Sequence, residues 1–423
     1  MNIKNKSGIA LLVTLFVVLV LSILLSAVFL RTDAQLAETG LMRSVQESFY
    51  AAEAGIERAV FELRRDPDFL LNDTLADVPV KVSEEEEART VGFFTLRVID
   101  GGLFNNLGET RWVQSIGRDP SNQKPRIINA RVLIDDPSRF LVSTPGTLEV
   151  KSGAQINADL LASDLEFAVN ETLEDEERAI TVNGDVFYIN SLFPDDPDAH
   201  PDIEINGDVT QYPAVTFPGV DVDLYADIAQ NSGLAGFYYD GDLDVDLDHL
   251  DDLNPEEGFH PQIIFATGSI DIKGNIPHSM LVVSGGNINI TGDIKYEGAE
   301  LPEGEVGPQI GLFAKSDMLI PDGVVSTGED MTIEAFVVAD GGGDSNGIFA
   351  ARSSTVLGQL NFKGAMSVRG EGTDSSIDLN IFAERNYQHS PNKNIPFTPL
   401  IANIIQWQEA DSAEPFPPVS SGS

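Results

Sequence analysis

The feature that most constrains this chain is an apolar run near its start that passes without a break into an amphipathic pattern. From Ile9 to Leu30 there are 22 residues without a charge, and seventeen of them are Leu, Ile, Val or Phe. Twenty-two helical residues span about 33 Å, which matches a hydrocarbon core of about 30 Å. Small and apolar residues then recur at steps of three or four as far as Leu63, and no proline occurs before Pro67. The sequence therefore predicts one helix from Ile9 to about Arg65, half lipid-facing and half amphipathic.

The length and flanks of the apolar run decide between an anchor and a cleaved export signal. A conventional signal has a shorter apolar region, about 7–15 residues, followed by small residues at a cleavage site. The run is longer than that, although "TDA" before Gln35 resembles such a site. Lys4 and Lys6 precede the run and most of the acidic residues follow it, so we expect a cytoplasmic N-terminus and an exported remainder. The simplest interpretation is a bitopic anchor with a helical stalk.

The charge balance limits the partners that the rest of the chain can bind. The 423 residues include 67 acidic and 26 basic side chains, which gives a formal net charge of −41. A nucleic acid or an anionic membrane surface would be repelled by this field, so no nucleic acid partner is expected. There is no cysteine, which removes disulfides, thiolate metal sites and a thiol nucleophile together.

Two segments of the predicted helix resemble a known protein family. The basic leader that ends in "KSG" before "IALLVTLFVVLVLS" resembles the leader and first helix of type IV prepilins, which prepilin peptidase cuts after the glycine. "ESFYAAEAGIERAVFELR", residues 47–64, closely resembles the end of that helix in PilX-type minor pilins, where an A-A-E-A-G stretch recurs. The resemblance implies processing between Gly8 and Ile9 and anchoring in the bacterial inner membrane. It also implies assembly with other pilins or pseudopilins and with the pilus assembly machinery.

One position departs from the pattern of major pilins. These carry a glutamate as the fifth residue of the mature chain, where this sequence has Val13. PilX-type proteins commonly lack that glutamate too, so the departure favours a minor or initiating subunit over a repeating one. The apolar helix would hold the subunit in the membrane first and pack against other helices in a filament afterwards. The candidate residues of this assembly helix are Val13, Phe49, Ala51, Ala52, Glu53, Ala54 and Gly55.

Three strand-like segments follow the helix after an acidic loop that contains proline. "VGFFTLRVID" (91–100), "TRWVQSIGR" (110–118) and "PRIINARVLID" (125–135) are rich in β-branched and aromatic residues, and Gly, Asn and Pro separate them. They predict a small three-stranded antiparallel head. A long helix followed by such a meander is the αβ-roll plan of pilin heads, so the resemblance extends weakly to this region.

A short phrase recurs from about residue 140 onward. "ITVNGDV" (180–186), "IEINGDV" (203–209), "IDIKGNI" (270–276), "INITGDI" (288–294) and "LNFKGAM" (360–366) share an apolar–x–apolar–x–Gly–x–apolar pattern. Gly268 and Gly274 are followed by Gly286 and Gly292 at an offset of 18 residues. A repeating strand–glycine–strand unit of about this length predicts a right-handed β-helix, or β-solenoid, in which inward side chains stack from coil to coil.

The predicted period is not continuous. Insertions at 165–180, 190–202, 211–258 and 296–308 interrupt it, so an irregular β-sandwich is the alternative fold for this region. The recurring phrases also resemble the glycine-punctuated solenoids of bactofilin-like, polymer-forming surface proteins. Bactofilins have no pilin-like helix, so this second resemblance implies an architecture and not a cytoskeletal role.

The densest acidic stretch is "DGDLDVDLDHLDD", residues 240–252. On a strand, alternate residues lie on one face, and here these are Asp240, Asp242, Asp244, Asp246 and Asp248. Such a row predicts a calcium site, because calcium prefers six to eight oxygen ligands. The EF-hand pattern fails, since Leu247 and Leu253 stand where that loop needs glycine and glutamate. A solvated acidic strand without metal is the alternative.

No motif of a common enzyme class is found. There is no HExxH, GxSxG, phosphate loop or GxGxxG fingerprint, and the five histidines form no closely spaced metal-ligand pair. We expect no enzyme activity and no cofactor other than calcium at the acidic row. Right-handed β-helices include polysaccharide lyases and hydrolases, so a glycosidase-like pair of carboxylates is the least favoured alternative.

The sequence thus predicts an α+β region followed by an all-β region. The predicted segments are a leader (1–8), the transmembrane (9–30) and amphipathic (31–66) halves of the helix, the head (67–136), the solenoid (137–385) and a C-terminal strand with a disordered tail (386–423). The predicted function is that of a minor pilin or pseudopilin whose solenoid serves adhesion or forms a structural cap. A membrane-anchored surface or periplasmic protein outside any pilus is the first alternative, and a β-helical polysaccharide enzyme is the second.

Overall fold

The computed structural model describes most of the chain. The described residues are 4–82, 89–104, 108–121, 125–174, 178–215, 217, 219–254, 259–296, 298, 308–324, 329–341, 346–352, 357–370, 377–378, 382–389, 395 and 401–410. Of residues 4–13 the backbone path alone is described. The predicted disordered tail after residue 410 lies outside the described residues.

A single helix, α1, occupies Lys4–Leu63 and contains 60 residues. At 1.5 Å per residue it is about 90 Å long. It begins within the predicted leader and ends close to the predicted Arg65, where the amides of Arg65 and Asp66 both donate to the Glu62 carbonyl. The amphipathic pattern places its second half on a β-sheet, whereas residues 14–43 are exposed along their whole length.

That sheet forms the head, and it has five strands. They are β1 (Thr74–Val82), β2 (Arg89–Leu103), β3 (Glu109–Arg118), β4 (Arg126–Asp135) and the C-terminal strand β25 (Ile401–Ala410). They lie in the order β1-β2-β3-β4-β25, and each pairs antiparallel with its neighbours. The prediction of three strands is wrong in number: the three predicted strands form the centre of the sheet, and β1 and β25 flank them.

The head core lies between α1 and one face of the sheet. The helix contributes buried residues at helical spacing, including Ala52, Ile56, Ala59 and Leu63. The strands contribute alternate positions, such as Phe94, Leu96 and Val98 of β2. The buried residues of the helix recur with a period near 3.6, and those of the strands recur with a period of 2. Together these side chains form one apolar layer.

Between β4 and β25 the chain forms a region of parallel strands, which we call the parallel region (142–389). Its strands are β5 Val142–Lys151, β6 Gln155–Ile156, β7 Leu160–Ala168, β8 Ile180–Val182, β9 Val186–Phe193, β10 Ile203–Ile205, β11 Val209–Gln211, β12 Gly236–Tyr239, β13 Leu243–Asp246, β14 Ile263–Ala266, β15 Ile270–Asn275, β16 Met280–Ser284, β17 Ile288–Lys295, β18 Ile310–Ala314, β19 Met318–Ile320, β20 Met331–Ala339, β21 Phe349–Ala351, β22 Leu357–Val368, β23 Ile377–Asp378 and β24 Phe382–His389. One short helix, α2, occupies Val222–Asn231.

The strands of the parallel region pair with strands one coil further along the chain. Ile263 of β14 lies beside Leu281 of β16, and Ile270 of β15 lies beside Ile288 of β17. Both offsets are the 18 residues seen in the sequence. Inward side chains such as Ile270 and Ile288 are fully buried and belong to one long apolar core. The region is thus mostly β, with large parallel sheets.

The spatial order of the strands differs from the order in the sequence. Met366 of β22 pairs with Val142 of β5, so the beginning and the end of the parallel region lie side by side. From that seam, β7, β9 and β11 extend in one direction. In the other direction lie β20, β18, β16, β14 and β12. The chain therefore enters and leaves the parallel region near its middle, next to the head.

A connecting segment, residues 212–235 and hereafter the strap, joins β11 to β12 at the opposite end. Nine strand spacings of about 4.8 Å separate these strands, a distance of about 43 Å. The strap crosses it along the outer face of the sheets. Tyr212 packs against Phe187 near one end, and Tyr225 and Ala229 of α2 pack against Phe313 and neighbouring residues nearer the other. The insertion at 211–258 in the predicted period is this strap together with the terminal coil.

Candidate functional site

The first candidate site is the exposed half of α1, residues 14–43. Its apolar side chains are largely open to solvent, with Leu15 at 69% and Leu30 at 71% exposure. The hydroxyls of Ser22 and Ser26 donate to the carbonyls of Val18 and Ser22 at 2.8 and 2.9 Å, so the helix itself satisfies them. Among the described residues, α1 alone is long and apolar enough to cross a membrane, with a mean hydropathy of 2.5 over its most apolar window. It is thus a candidate membrane helix.

The predicted processing residues lie in the first turns of this helix. The backbone of Gly8, Ile9 and Val13 is helical. Their side chains are not among those described. Cleavage after Gly8 and the consequence of Val13 both stay predictions.

The second candidate site is the seat of α1 on the head, which contains the "AAEAG" segment. Ala51, Ala52 and Gly55 are buried on the helix face that meets the sheet. A Cβ on Gly55 would overlap the Ser115 hydroxyl and would lie 3.1 Å from the Phe94 ring. These three positions are small because the helix axis lies very close to the sheet.

Glycine on the sheet side permits the same close approach. A Cβ on Gly117 of β3 would overlap the Ser48 carbonyl oxygen and the Ala52 nitrogen. A Cβ on Gly92 of β2 would lie 2.9 Å from the Cβ of Ala51. The amide of Asp119 donates to the Ser48 hydroxyl at 2.9 Å, which closes the contact with a buried hydrogen bond. Sequence reasoning missed these sheet glycines, since they carry no signal until the helix is known to lie on them.

The other described side chains of the predicted assembly helix are less buried. Glu53 is exposed and Ala54 is half-buried. Phe49 is half-buried and makes an edge-to-face contact with Trp407 of β25, with ring centroids 6.4 Å apart. The structure therefore divides the "AAEAG" segment into a buried part that seats the helix and a carboxylate that faces solvent.

A third cluster joins the head to the parallel region. Asp135, the last residue of β4, accepts a hydrogen bond from the Tyr212 hydroxyl at 2.6 Å and pairs with Arg139 at 3.1 Å. The Arg139 guanidinium also lies over the rings of Phe140 and Phe187, at 4.7 and 5.3 Å from their centroids. A strand of the head, the turn between β4 and β5 and the strap therefore meet at one carboxylate.

Burial changes the protonation chemistry of this junction. Removal from water raises the pKa of Asp135 from 3.8 to about 6, although Arg139 and the Tyr212 hydrogen bond act in the opposite direction. Burial also raises the pKa of Tyr212, and the neighbouring Asp135 charge adds to that increase. Burial likewise raises the pKa of the adjacent Asp136, so two neighbouring carboxylates of the junction have a raised pKa.

The five aspartates of the acidic row do not share one strand. Only Asp244 and Asp246 lie within β13. The Asp242 carboxylate accepts the Ser269 amide at 2.8 Å, and Asp240 accepts the Thr267 hydroxyl at 2.9 Å. Asp248 accepts the Asn275 side-chain amide at 2.8 Å. Three of the five thus cap groups of the next coil.

No metal centre forms around the acidic row in the part of the chain that the structure describes. There, no three acidic or histidine side chains come together in a way that could hold a metal ion. β13 pairs with β15 alone among the described strands, so the row lies on the outermost coil. Charged side chains on such an edge discourage pairing with another chain. Calcium binding stays a prediction.

The same capping explains the recurring Asn-Gly-Asp phrase. The amide of Asp185 donates to the Asp159 carboxylate at 2.8 Å, and the amide of Asp208 donates to Asp185 at 2.8 Å. The Asn206 side-chain amide likewise donates to the Asn183 side-chain oxygen at 2.8 Å. Aspartate and asparagine columns therefore connect successive coils. The sequence revealed the repeat, but it did not reveal that the side chains bond across coils.

Comparisons with known proteins give no family. No family model matches the chain, and no curated protein matches it. Among solved structures, the competence-associated pilin ComZ from Thermus thermophilus aligns with 87% of this chain and 97% of its own, at 13% identity and a TM-score of 0.28. An ice binding protein from an Antarctic Biological Consortium aligns with 59% of this chain and 88% of its own, at 10% identity and a TM-score of 0.26. At these values neither likeness carries an argument about this chain.

Proposed function

We propose that the chain is a minor pilin-like subunit, of the PilX type, that is anchored by α1 and enters a type IV pilus-like filament. The observation that carries the proposal is the division of α1 into two halves. Residues 14–43 are exposed and carry no charge as far as Leu30, whereas the second half of α1 is fixed to the head through Ala51, Ala52 and Gly55. Such a helix can lie in a bilayer or against other helices without disturbing the head.

The parallel region supplies the displayed part of the proposed subunit. We propose that it is a right-handed β-solenoid, which the parallel pairings at offsets near one coil support. Its strands β5 and β22 lie side by side at the pairing of Val142 with Met366, and the Tyr212 hydroxyl of the strap donates to Asp135 of the head. The proposed role is adhesion or a structural cap on the filament, with no enzyme activity.

The proposed location follows from the flanks of the apolar helix. Lys4 and Lys6 stay cytoplasmic, α1 spans the bacterial inner membrane once, and the acidic remainder is exported. Prepilin peptidase would act after Gly8, and other pilins or pseudopilins and the assembly machinery would be the partners. Ile9 then becomes the N-terminus of the mature chain.

Mass spectrometry of the mature chain tests this proposal. Expression beside a prepilin peptidase is expected to give a chain that begins at Ile9. The variant Gly8→Leu should keep Met1, because the residue before the cut bond has changed. Gly40→Leu is the matched control: Gly40 lies on the same helix with no atom within 4 Å of an added Cβ, and this variant should still be processed. Intact Met1 in the unsubstituted chain would contradict the proposal. It would favour the alternative, a membrane-anchored surface or periplasmic protein outside any pilus.

A further inference from the structure

The two outer strands of the head sheet are protected to different extents. An unpaired strand edge invites pairing with another chain, and proteins block it with proline, lysine and irregular register. β1 has all three: Pro79, Lys81 and register breaks between Leu75 and Val78 and between Val80 and Lys81. It is a well-protected edge.

β25 has fewer of these devices. Its ten residues include no proline and no lysine, and the register breaks once, between Ile404 and Gln406. Glu409 is its only charged residue, and Arg126 of β4 pairs with it at 2.9 Å. Among the described strands β25 pairs with β4 alone. Its edge is thus long and nearly neutral in a chain with a net charge of −41.

Exposed apolar side chains lie on and beside this strand. Ile404 is 38% exposed and Trp407 is 49% exposed. The Trp407 ring meets Phe49 of α1, and Phe49 in turn meets Tyr50 at 6.1 Å between centroids. Tyr50 is itself mostly exposed. We call β25 together with Phe49 and Tyr50 the aromatic edge.

We propose that the aromatic edge is the surface through which a second copy of this chain binds. Two copies repel each other over most of their acidic surface, so a contact between them is favoured where charge is lowest. The aromatic edge continues along α1 to exposed Met42 and the apolar residues before it. If a second copy pairs at β25, the exposed first half of its own α1 also lies nearby. The apolar side chains of the two helices can then pack against each other. The contact goes beyond the proposed function, because it would form equally in an anchored protein that never enters a pilus.

Cysteine cross-linking of the full chain in lipid vesicles tests the proposal. The chain has no cysteine, so a single introduced one reports on one position only. Ile404→Cys lies on the aromatic edge, and Ala76→Cys lies on an exposed position of β1, the protected edge. With a flexible bismaleimide we expect about tenfold more homodimer from Ile404→Cys than from Ala76→Cys. Equal yields from the two variants would overturn the proposal.

A second variant separates a real contact from loss of folding. Ile404→Lys adds one positive charge at an exposed position and is expected to reduce the mass of the complex in detergent from dimer to monomer, with an unchanged melting temperature. A dimer that persists in Ile404→Lys would contradict the proposal. Cross-linking of Ile404→Cys that appears only after residues 411–423 are deleted would show that this segment covers the edge, and would overturn it as well.

Discussion

The head and the parallel region both bury a β-sheet core, but they depend on different kinds of close contact. In the head, one long helix covers an antiparallel sheet, and the tightest contacts are between α1 and the sheet glycines. In the parallel region each coil covers the next, and the tightest contacts are between neighbouring turns. A destabilising substitution should therefore affect the whole head, whereas in the parallel region its effect should stay near the substituted coil.

The largest expected effect is that of Gly117→Val in the head. Its side chain would overlap the backbone of Ser48 and Ala52 of α1, and neither can move without lifting the helix. We expect the head to lose about 3 kcal/mol or more of stability. Differential scanning calorimetry should show a lower head transition and an unshifted transition of the parallel region. A shift of both transitions by the same amount would show that the two regions unfold as one.

Gly184→Ala is the counterpart in the parallel region. An added Cβ would overlap the Ala158 carbonyl of the preceding coil. We expect a loss of about 2 kcal/mol, confined to the coils around β8 and β9. Amide hydrogen exchange should increase there and stay unchanged in β2 and β3. Faster exchange throughout the head would contradict the separation of the two regions.

The junction gives a smaller effect that depends on pH. Asp135 binds its proton more tightly in the folded chain, with a pKa of about 6 against 3.8. The folded state is therefore favoured as the pH falls from above 6 towards 4, and the free energy of unfolding should rise by about 2 kcal/mol on that account. Removal of the pKa difference in Asp135→Asn should abolish this part of the rise.

Comparison with the unsubstituted chain is essential for that experiment, because lower pH also reduces the repulsion among many other carboxylates. Urea unfolding at pH 7 and pH 4 gives the change in the free energy of unfolding for each of the two chains. If the free energy of unfolding rises as much on acidification in Asp135→Asn as in the unsubstituted chain, Asp135 is not the source of the pH dependence.

The smallest effects distinguish capping from calcium binding in the acidic row. Asp242 accepts a backbone amide of the next coil, so Asp242→Ala should cost about 1 kcal/mol. Asp244 is exposed on the outermost strand, and Asp244→Ala should change stability by less than about 0.5 kcal/mol. If calcium binds to the row, it should raise the melting temperature of the unsubstituted chain, and both variants should lose that increase. No change on adding calcium would remove the calcium prediction.

Local patterns in the sequence were enough to predict α1 and the three central strands of the head. β1 escaped prediction because Pro79 weakens its strand pattern. The place of β25 beside β4 could not be predicted, since the pairing spans the entire parallel region and leaves no local signal.

In the parallel region the repeat was visible, but its spatial order was not. The strap is an interruption in the sequence, and nothing in residues 212–235 alone indicates that it links opposite ends. At the candidate site, the small residues Ala51, Ala52 and Gly55 were found through a resemblance. The structure adds a packing reason for them and leaves Glu53 facing solvent.

We propose that α1 serves first as a membrane anchor and then as a filament helix. Filaments sheared from cells that express the chain test it most directly, when the N-terminus of the chain in that fraction is read by mass spectrometry. The chain is expected to be present there and to begin at Ile9. A chain that is absent from sheared filaments and remains in the inner membrane with Met1 intact would contradict it.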